Sequence, residues 1–290
     1  MKHLAPTLLA ALALTAAACG NASSPTPPAS SDPHAGHDHA GHDHAGHSHA
    51  GETAAPTPAI DPADVDPAAA LAGYDALLRA HVDAQGMVDY AALAAAPQAL
   101  SAYVASLSLP AALPGADAPG TPDARLAALM NAYNAFTLQL ILDHYDGGKL
   151  ASITDLHGGK PWDQKLWNLA GQTVSLNQIE HEMIREEFST EPRIHWAVVC
   201  AARSCPPLRA EAYDASNLEI QLADQERRVL LAGDERFIQT DGDSVAAVTK
   251  LFEWYGGDFG ADWKPYVARR VQKTVASPEF IDYNWELNTQ

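Results

Sequence analysis

The stretch that decides how this chain is interpreted is Arg193-Ile194-His195-Trp196-Ala197-Val198-Val199-Cys200-Ala201-Ala202-Arg203-Ser204-Cys205-Pro206-Pro207-Leu208. Its first half is mostly apolar, which predicts a short buried strand. The two prolines near its end cannot continue a regular element, so a tight loop should join the two cysteines. Reactive side chains are therefore concentrated here: a histidine at the start of the strand and two cysteines at its end.

The spacing of these side chains limits how they can work together. Side chains alternate between the two faces of a strand, so His195 and Cys200 should point to opposite faces. They are not expected to pair as base and nucleophile. Cys205, in the loop beyond, could use His195, and His181 from the preceding helix could serve either cysteine.

Four interpretations of Cys200 and Cys205 remain open. An exported protein with two cysteines five positions apart could hold a disulfide. The pair could instead provide a catalytic or redox-active thiol, or be inert residues that pack like small apolar side chains. They could also bind a metal together with His195, although the spacing matches no standard structural zinc pattern.

The helix before this stretch carries two further candidates. Ser175-Leu176-Asn177-Gln178 is a capping box, so a helix is predicted from there to just before Pro192. Glu180 falls on its apolar face and His181 at the rim of that face. A carboxylate on an apolar face needs a partner, or its pKa rises. Glu180 is therefore either a buried structural anchor or a general base or orienting group for a histidine.

A long helix is predicted from Thr121-Pro122 to about Tyr145. Asn134 falls inside its apolar arc, and a buried amide is costly unless it is hydrogen-bonded. Two roles are open: a structural amide that holds a neighbouring loop, or an amide that lines a site.

The overall pattern predicts an α+β fold. An N-cap and a first-turn proline at Asp66-Pro67 open the first helix, and Asp241-Gly242 is typical of a hairpin turn. Residues 61–290 are expected to form a helix-rich single domain with a small, mostly antiparallel sheet, preceded by a disordered tether.

The N-terminal region predicts export and anchoring. Residues 1–18 have the short basic start, apolar run and small-residue end of a signal peptide. They resemble a bacterial lipoprotein signal in which Cys19 is lipidated, so we expect a membrane-anchored protein of the cell envelope. The formal net charge of −18 argues against nucleic acid as a partner. Any envelope protein or small molecule that binds the domain stays unidentified.

Residues 19–60 form the predicted tether, poor in large apolar side chains and rich in histidine. Imidazole is the commonest ligand of Zn and other divalent metals, and glycine lets the chain fold around an ion. The tether is thus expected either to bind divalent metal or to be a solvated linker. The candidate metal ligands are His34, His37, His39, His42, His44, His47 and His49.

Several long blocks resemble the domain-of-unknown-function family 547. They include Asn131-Ala132-Tyr133-Asn134-Ala135, Ser175 to His181, and Arg193 to Pro206, with later blocks at Phe252 to Phe259 and Tyr283 to Asn288. The family typically has glycine where Ala201 or Ala202 stands. The resemblance implies a domain of exported bacterial and of plant proteins, without an established activity. It also implies that the candidate catalytic residues occupy motif positions: Asn134, Glu180, His181, His195, Cys200 and Cys205. A cysteine-dependent hydrolase or transferase is the enzyme they suggest, and a non-catalytic binding or scaffold module is the alternative.

Overall fold

The structure is a computed structural model that describes residues 60–115 and 121–290. It confirms a helix-rich α+β fold. Its α-helices are α1 Pro67–His81, α2 Tyr90–Ala95, α3 Gln98–Ser106, α4 Thr121–Asp143, α5 Leu218–Leu230, α6 Leu251–Tyr255 and α7 Lys264–Val271. None of the helices in the described residues has the length and apolar content needed to cross a membrane.

Within the part of the chain that the structure describes, the strands form two small sheets. They are β1 Trp167–Leu169, β2 Gln172–Val174, β3 Ile238–Asp241, β4 Ser244–Thr249 and β5 Glu279–Ile281. β1 and β2 pair antiparallel, as do β3 and β4 across the predicted turn at Gly242, whereas β5 joins β4 in parallel. The pairing is therefore mostly antiparallel, as expected, but it is divided between two sheets.

Helix starts follow the chemistry of their first residues. The Asp66 side chain accepts from the amides of Ala68 and Ala69 and caps α1. The capping box is also present, because Ser175 Oγ accepts from the Gln178 amide and the Gln178 side chain accepts from the Ser175 amide. The helix that follows is a π-helix, Gln178–Arg185, and ends earlier than the predicted stop at Pro192.

The interior has two apolar clusters. The larger one gathers the buried faces of α1 to α4 and the π-helix, and the smaller one lies between the end of α5, the β3–β4 hairpin, α6 and α7. The stretch around His195 joins them, because Ile194 packs in the larger cluster and Trp196 in the smaller. Trp196 contacts Phe252 and Phe259 there, with ring centroids 5.5 and 5.2 Å apart.

The predictions for the N-terminal region lie outside the described residues. These are the signal peptide, lipidation of Cys19 and the metal-binding tether, whose histidines run from His34 to His49.

Candidate functional site

The predicted strand after Arg193 is wrong. Residues Pro192–Trp196 form a 3₁₀ helix, and an irregular loop runs from there to Cys205. A strand satisfies its backbone through a neighbouring strand, but here side-chain amides do so. Asn134 on α4 donates to the Ala197 carbonyl and accepts from the Val199 amide, both at 2.9 Å.

A second amide, from α5, completes this support. Gln225 is fully buried, and its Nε2 donates to the carbonyls of Trp196 (2.8 Å) and Pro207 (2.9 Å). Because the segment is not extended, alternation of faces does not apply to it. The expectation that His195 and Cys200 are kept apart is therefore wrong, and both line one cavity.

That cavity, which we call the cysteine cavity, has a volume of about 30 Å³, enough for a water molecule. Its walls are formed by Tyr133, Glu180, His195, Val198, Cys200, Cys205, Pro206, Leu251, Trp254, Tyr255, Tyr283 and Trp285. The sequence candidates Glu180, His195, Cys200 and Cys205 are thus brought together. His181 and Asn134 are not on its walls.

Cys200 and Cys205 are joined by a disulfide, with their sulfurs 1.99 Å apart. Of the four interpretations of this pair that the sequence left open, the structure has the disulfide. The Tyr283 hydroxyl lies 3.2 Å from each sulfur. The Cys200 amide donates to Cys205 Sγ at 3.0 Å. Cys205 is 3% exposed, whereas Cys200 is half-buried.

The loop between the cysteines is also held by its backbone. The amides of Arg203 and Ser204 donate to the carbonyls of Glu286 (2.8 Å) and Asn284 (3.2 Å). The Ala201 carbonyl accepts from the Asn288 amide at 3.0 Å. Ala201 has a left-handed φ of 59°, a conformation that favours glycine, the residue typical of the resembled family near this position.

A hydrogen bond and ring stacking hold the His195 side chain in place. Its Nε2 lies 2.7 Å from Asp258 Oδ2, and its ring stacks on Tyr255 at a centroid distance of 4.2 Å. Burial lowers the pKa of the imidazole, and the hydrogen bond to Asp258 opposes this shift only in part. The ring is therefore neutral near pH 7, with the Nε2 proton donated to the carboxylate.

Asp258 is shared between His195 and Arg185. The Arg185 guanidinium donates to both carboxylate oxygens, at 2.8 and 3.1 Å, and its Nη1 lies 2.9 Å from His181 Nδ1. Burial alone would raise the pKa of Asp258, but the bonds from His195 and Arg185 outweigh it and hold that pKa well below its ordinary range. Asp258 therefore stays ionised and fixes the His195 ring.

Glu180 is 4% exposed, so its predicted burial is confirmed. Its Oε1 accepts from the Tyr255 hydroxyl at 2.9 Å. Burial, reinforced by the nearby Glu180 carboxylate, raises the pKa of Tyr133 and Tyr255 well above the ordinary value. Both phenols therefore keep their protons and can donate to Glu180.

Sequence reasoning missed several residues of this site: Tyr133, Arg185, Tyr255, Asp258 and Tyr283. Three of the blocks that carry the family resemblance contain Tyr133, Tyr255, Asp258 and Tyr283, which was the available signal. Only the fold shows that the Asp258 carboxylate is bonded to His195.

Within residues 60–115 and 121–290, no group of three or more His, Cys, Asp or Glu side chains is arranged to hold a metal ion. Comparison with known proteins adds one similarity, to a family without an assigned activity. No curated protein and no solved structure matches the chain. Residues 120–230, which include Asn134, Glu180, His195 and both cysteines, match the model of the family described as Protein of unknown function, DUF547, and in this segment the chain is similar to that family.

Proposed function

We propose that the chain is a cysteine-dependent enzyme, a hydrolase or transferase, that acts at the cysteine cavity once the disulfide is reduced. The observation that carries this proposal is that His195, held by Asp258, lines the same cavity as Cys200 and Cys205. A nucleophile, a base and a group that orients the base are the parts such catalysis needs.

The reaction begins on Cys200, the more exposed of the two cysteines. Neutral His195 takes the thiol proton on Nδ1, because Nε2 is committed to Asp258. The thiolate attacks an acyl carbonyl, a thioester forms, and the former ester oxygen leaves with the proton from His195. Water then cleaves the thioester in a hydrolase, whereas a second nucleophile takes the acyl group in a transferase.

The electrostatics of the cavity support this assignment. The lowered pKa of His195 keeps it able to accept a proton near neutral pH. The imidazolium that forms is stabilised by Asp258, which remains ionised because of Arg185. Tyr283 is placed to donate to a thiolate on either cysteine.

The test is acylation of the reduced protein by p-nitrophenyl acetate, followed by intact mass and peptide mapping. We expect a thioester on Cys200, its loss in Cys200→Ser, and about a hundredfold slower acylation in His195→Gln. The variant Cys19→Ser is the matched control and should react like the parent. Equal rates for His195→Gln and the parent, or acylation of Cys19 alone, would rule the proposal out.

A non-catalytic binding module is the second candidate, and one observation favours it. A groove of about 960 Å³ lies between α1, the end of α3, α4 and the segment before α5. Its volume is within the range of small-molecule sites, whereas the cysteine cavity holds little more than water. If this candidate is right, substitutions at His195 or Cys200 change only the stability of the fold. Ala128→Trp, which fills part of the groove, then abolishes binding of the small molecule that the groove takes.

We further propose that the protein is an envelope lipoprotein anchored through Cys19, with a tether that binds Zn or another divalent metal. The support is the signal-like sequence of residues 1–18 and the run of seven tether histidines from His34 to His49. Cys19→Ser should move the protein from the detergent phase to the aqueous phase on Triton X-114 partition. Unchanged partition would contradict the anchor.

A further inference from the structure

The disulfide of the cysteine cavity is one of several bonds that hold its loop in place. Between the two sulfurs, backbone groups of Ala201, Arg203 and Ser204 bond to residues 284–288. The Ser204 side chain adds another bond, since its Oγ accepts from the Asn284 amide at 2.8 Å. These bonds do not involve sulfur, so the loop should keep its shape when the disulfide opens.

The two cysteines differ in exposure and in hydrogen bonding. Cys200 is half-buried and Cys205 is 3% exposed, so we expect an incoming thiolate to attack at Cys200. Cys205 Sγ is the better leaving group, because the Cys200 amide donates to it at 3.0 Å. The Tyr283 hydroxyl lies 3.2 Å from both sulfurs, so it can also stabilise the thiolate on Cys205 but does not distinguish the two. Donors of this kind stabilise a thiolate, and a stabilised thiolate leaves faster.

We infer that the protein undergoes thiol–disulfide exchange at this bond, in one direction: an external thiolate attacks Cys200 Sγ and Cys205 leaves. The bond between Cys200 and the incoming sulfur forms as the Cys200–Cys205 bond breaks, and the electron pair stays on Cys205 as a thiolate. A second thiolate then releases the first thiol as a disulfide and leaves both cysteines reduced. The external thiol is oxidised and the protein is the electron acceptor.

The cavity restricts the class of thiol. A space of about 30 Å³ favours a small unbranched thiol or an exposed cysteine on a flexible segment over a bulky thiol. The exchange would supply the reduced Cys200 that the proposed function requires. Its own chemistry does not depend on that function, so the two can fail separately.

The experiment uses the oxidised full-length chain and 2-mercaptoethanol as the thiol. Samples are quenched with N-ethylmaleimide at successive times, and the cysteine peptides are identified by mass. We expect an early intermediate with mercaptoethanol on Cys200 and maleimide on Cys205. The native bond should be reduced at a rate within about tenfold of that in the guanidinium-unfolded chain, because Cys200 can be attacked without unfolding.

Two variants sharpen the test. Tyr283→Phe removes the hydroxyl donor near both sulfurs and should slow native reduction about tenfold, whereas Tyr145→Phe, at a residue that does not line the cysteine cavity, should not. Mercaptoethanol on Cys205 with maleimide on Cys200 would overturn the direction of attack. Reduction slowed by about a thousandfold or more in the native state would show that the bond opens only on unfolding and would overturn the inference. Absence of a thioester in the acylation assay, with exchange intact, would refute the proposed hydrolase or transferase alone.

Discussion

Replacing Asn134 by alanine tests whether one side chain fixes the loop that carries the cysteine cavity. The amide is 3% exposed and makes two hydrogen bonds, to the Ala197 carbonyl and the Val199 amide. Asn134→Ala would leave both backbone groups buried and unpaired. Each such group costs about 1–3 kcal/mol. Alanine returns roughly 0.5 kcal/mol through its higher helix propensity. We therefore expect the free energy of unfolding to fall by about 4 kcal/mol.

The assay is urea unfolding followed by tryptophan fluorescence, in which the midpoint should fall while the slope stays constant. Asn131→Ala is a matched control from the same helix. Asn131 donates to the Tyr213 carbonyl at 2.9 Å and accepts from the Tyr213 amide at 2.8 Å, so its loss should cost a similar free energy. Only Asn134→Ala should also change the reduction rate of the disulfide, because Asn134 bonds to the segment that leads into Cys200, whereas Asn131 bonds to Tyr213. A loss below about 1 kcal/mol for Asn134→Ala, or an equal effect of both variants on reduction, would refute this reasoning.

Further expectations concern pH, backbone and metal. The pKa of His195 is lowered in the folded state, so the unfolded chain binds more protons; the free energy of unfolding should fall as pH drops below about 6.5. His195→Gln should flatten that slope in urea titrations between pH 5 and pH 7, and an unchanged slope would contradict it. Gly86→Ala should lower the free energy of unfolding by about 2–4 kcal/mol, because its Cβ would lie 2.5 Å from Pro207 Cα and Leu208 N. Gly171→Ala is the control and should cost only about 1 kcal/mol, because there is open space around Gly171. Thermal unfolding of the two variants measures the difference. Ala201→Gly should raise the melting temperature or leave it unchanged, since φ is 59°, and a clear decrease would show that the left-handed turn carries no cost. Deleting residues 34–49 should remove most Zn bound in equilibrium dialysis, and undiminished binding would place the metal elsewhere.

The helices and the hairpin could be predicted because their signals are local. Asp66, the capping box at Ser175 and the turn at Gly242 each act within a few residues, and the structure has an element boundary at each. The burial of Glu180 and Asn134 could also be predicted, because it follows from helical periodicity. The sequence left two roles open for Asn134, holding a neighbouring loop or lining a site. Its two hydrogen bonds in the structure go to a neighbouring loop.

The strand at Ile194 could not be told from a buried loop, because both need an apolar run. What decides between them is the partner of the backbone, and the partners here are side chains distant in sequence, Asn134 and Gln225. The carboxylate at His195 comes from the segment after α6. Neither kind of contact produces a periodic pattern in the sequence. Only some of the residues that line the cavity could therefore be predicted.

The pairing of residues 284–289 has a consequence for how the molecule forms. This segment makes bridges to three distant places: Glu286 to Ser152, Leu287 to Ala202, and Thr289 to Val88. Such contacts close long loops, and the entropy of closure delays them in folding. The cavity should therefore be among the late structures to form, and the amides around Ala202 and Val88 should lose protection from hydrogen exchange together. A folding intermediate of this chain would contain its helices before the cysteine cavity had formed.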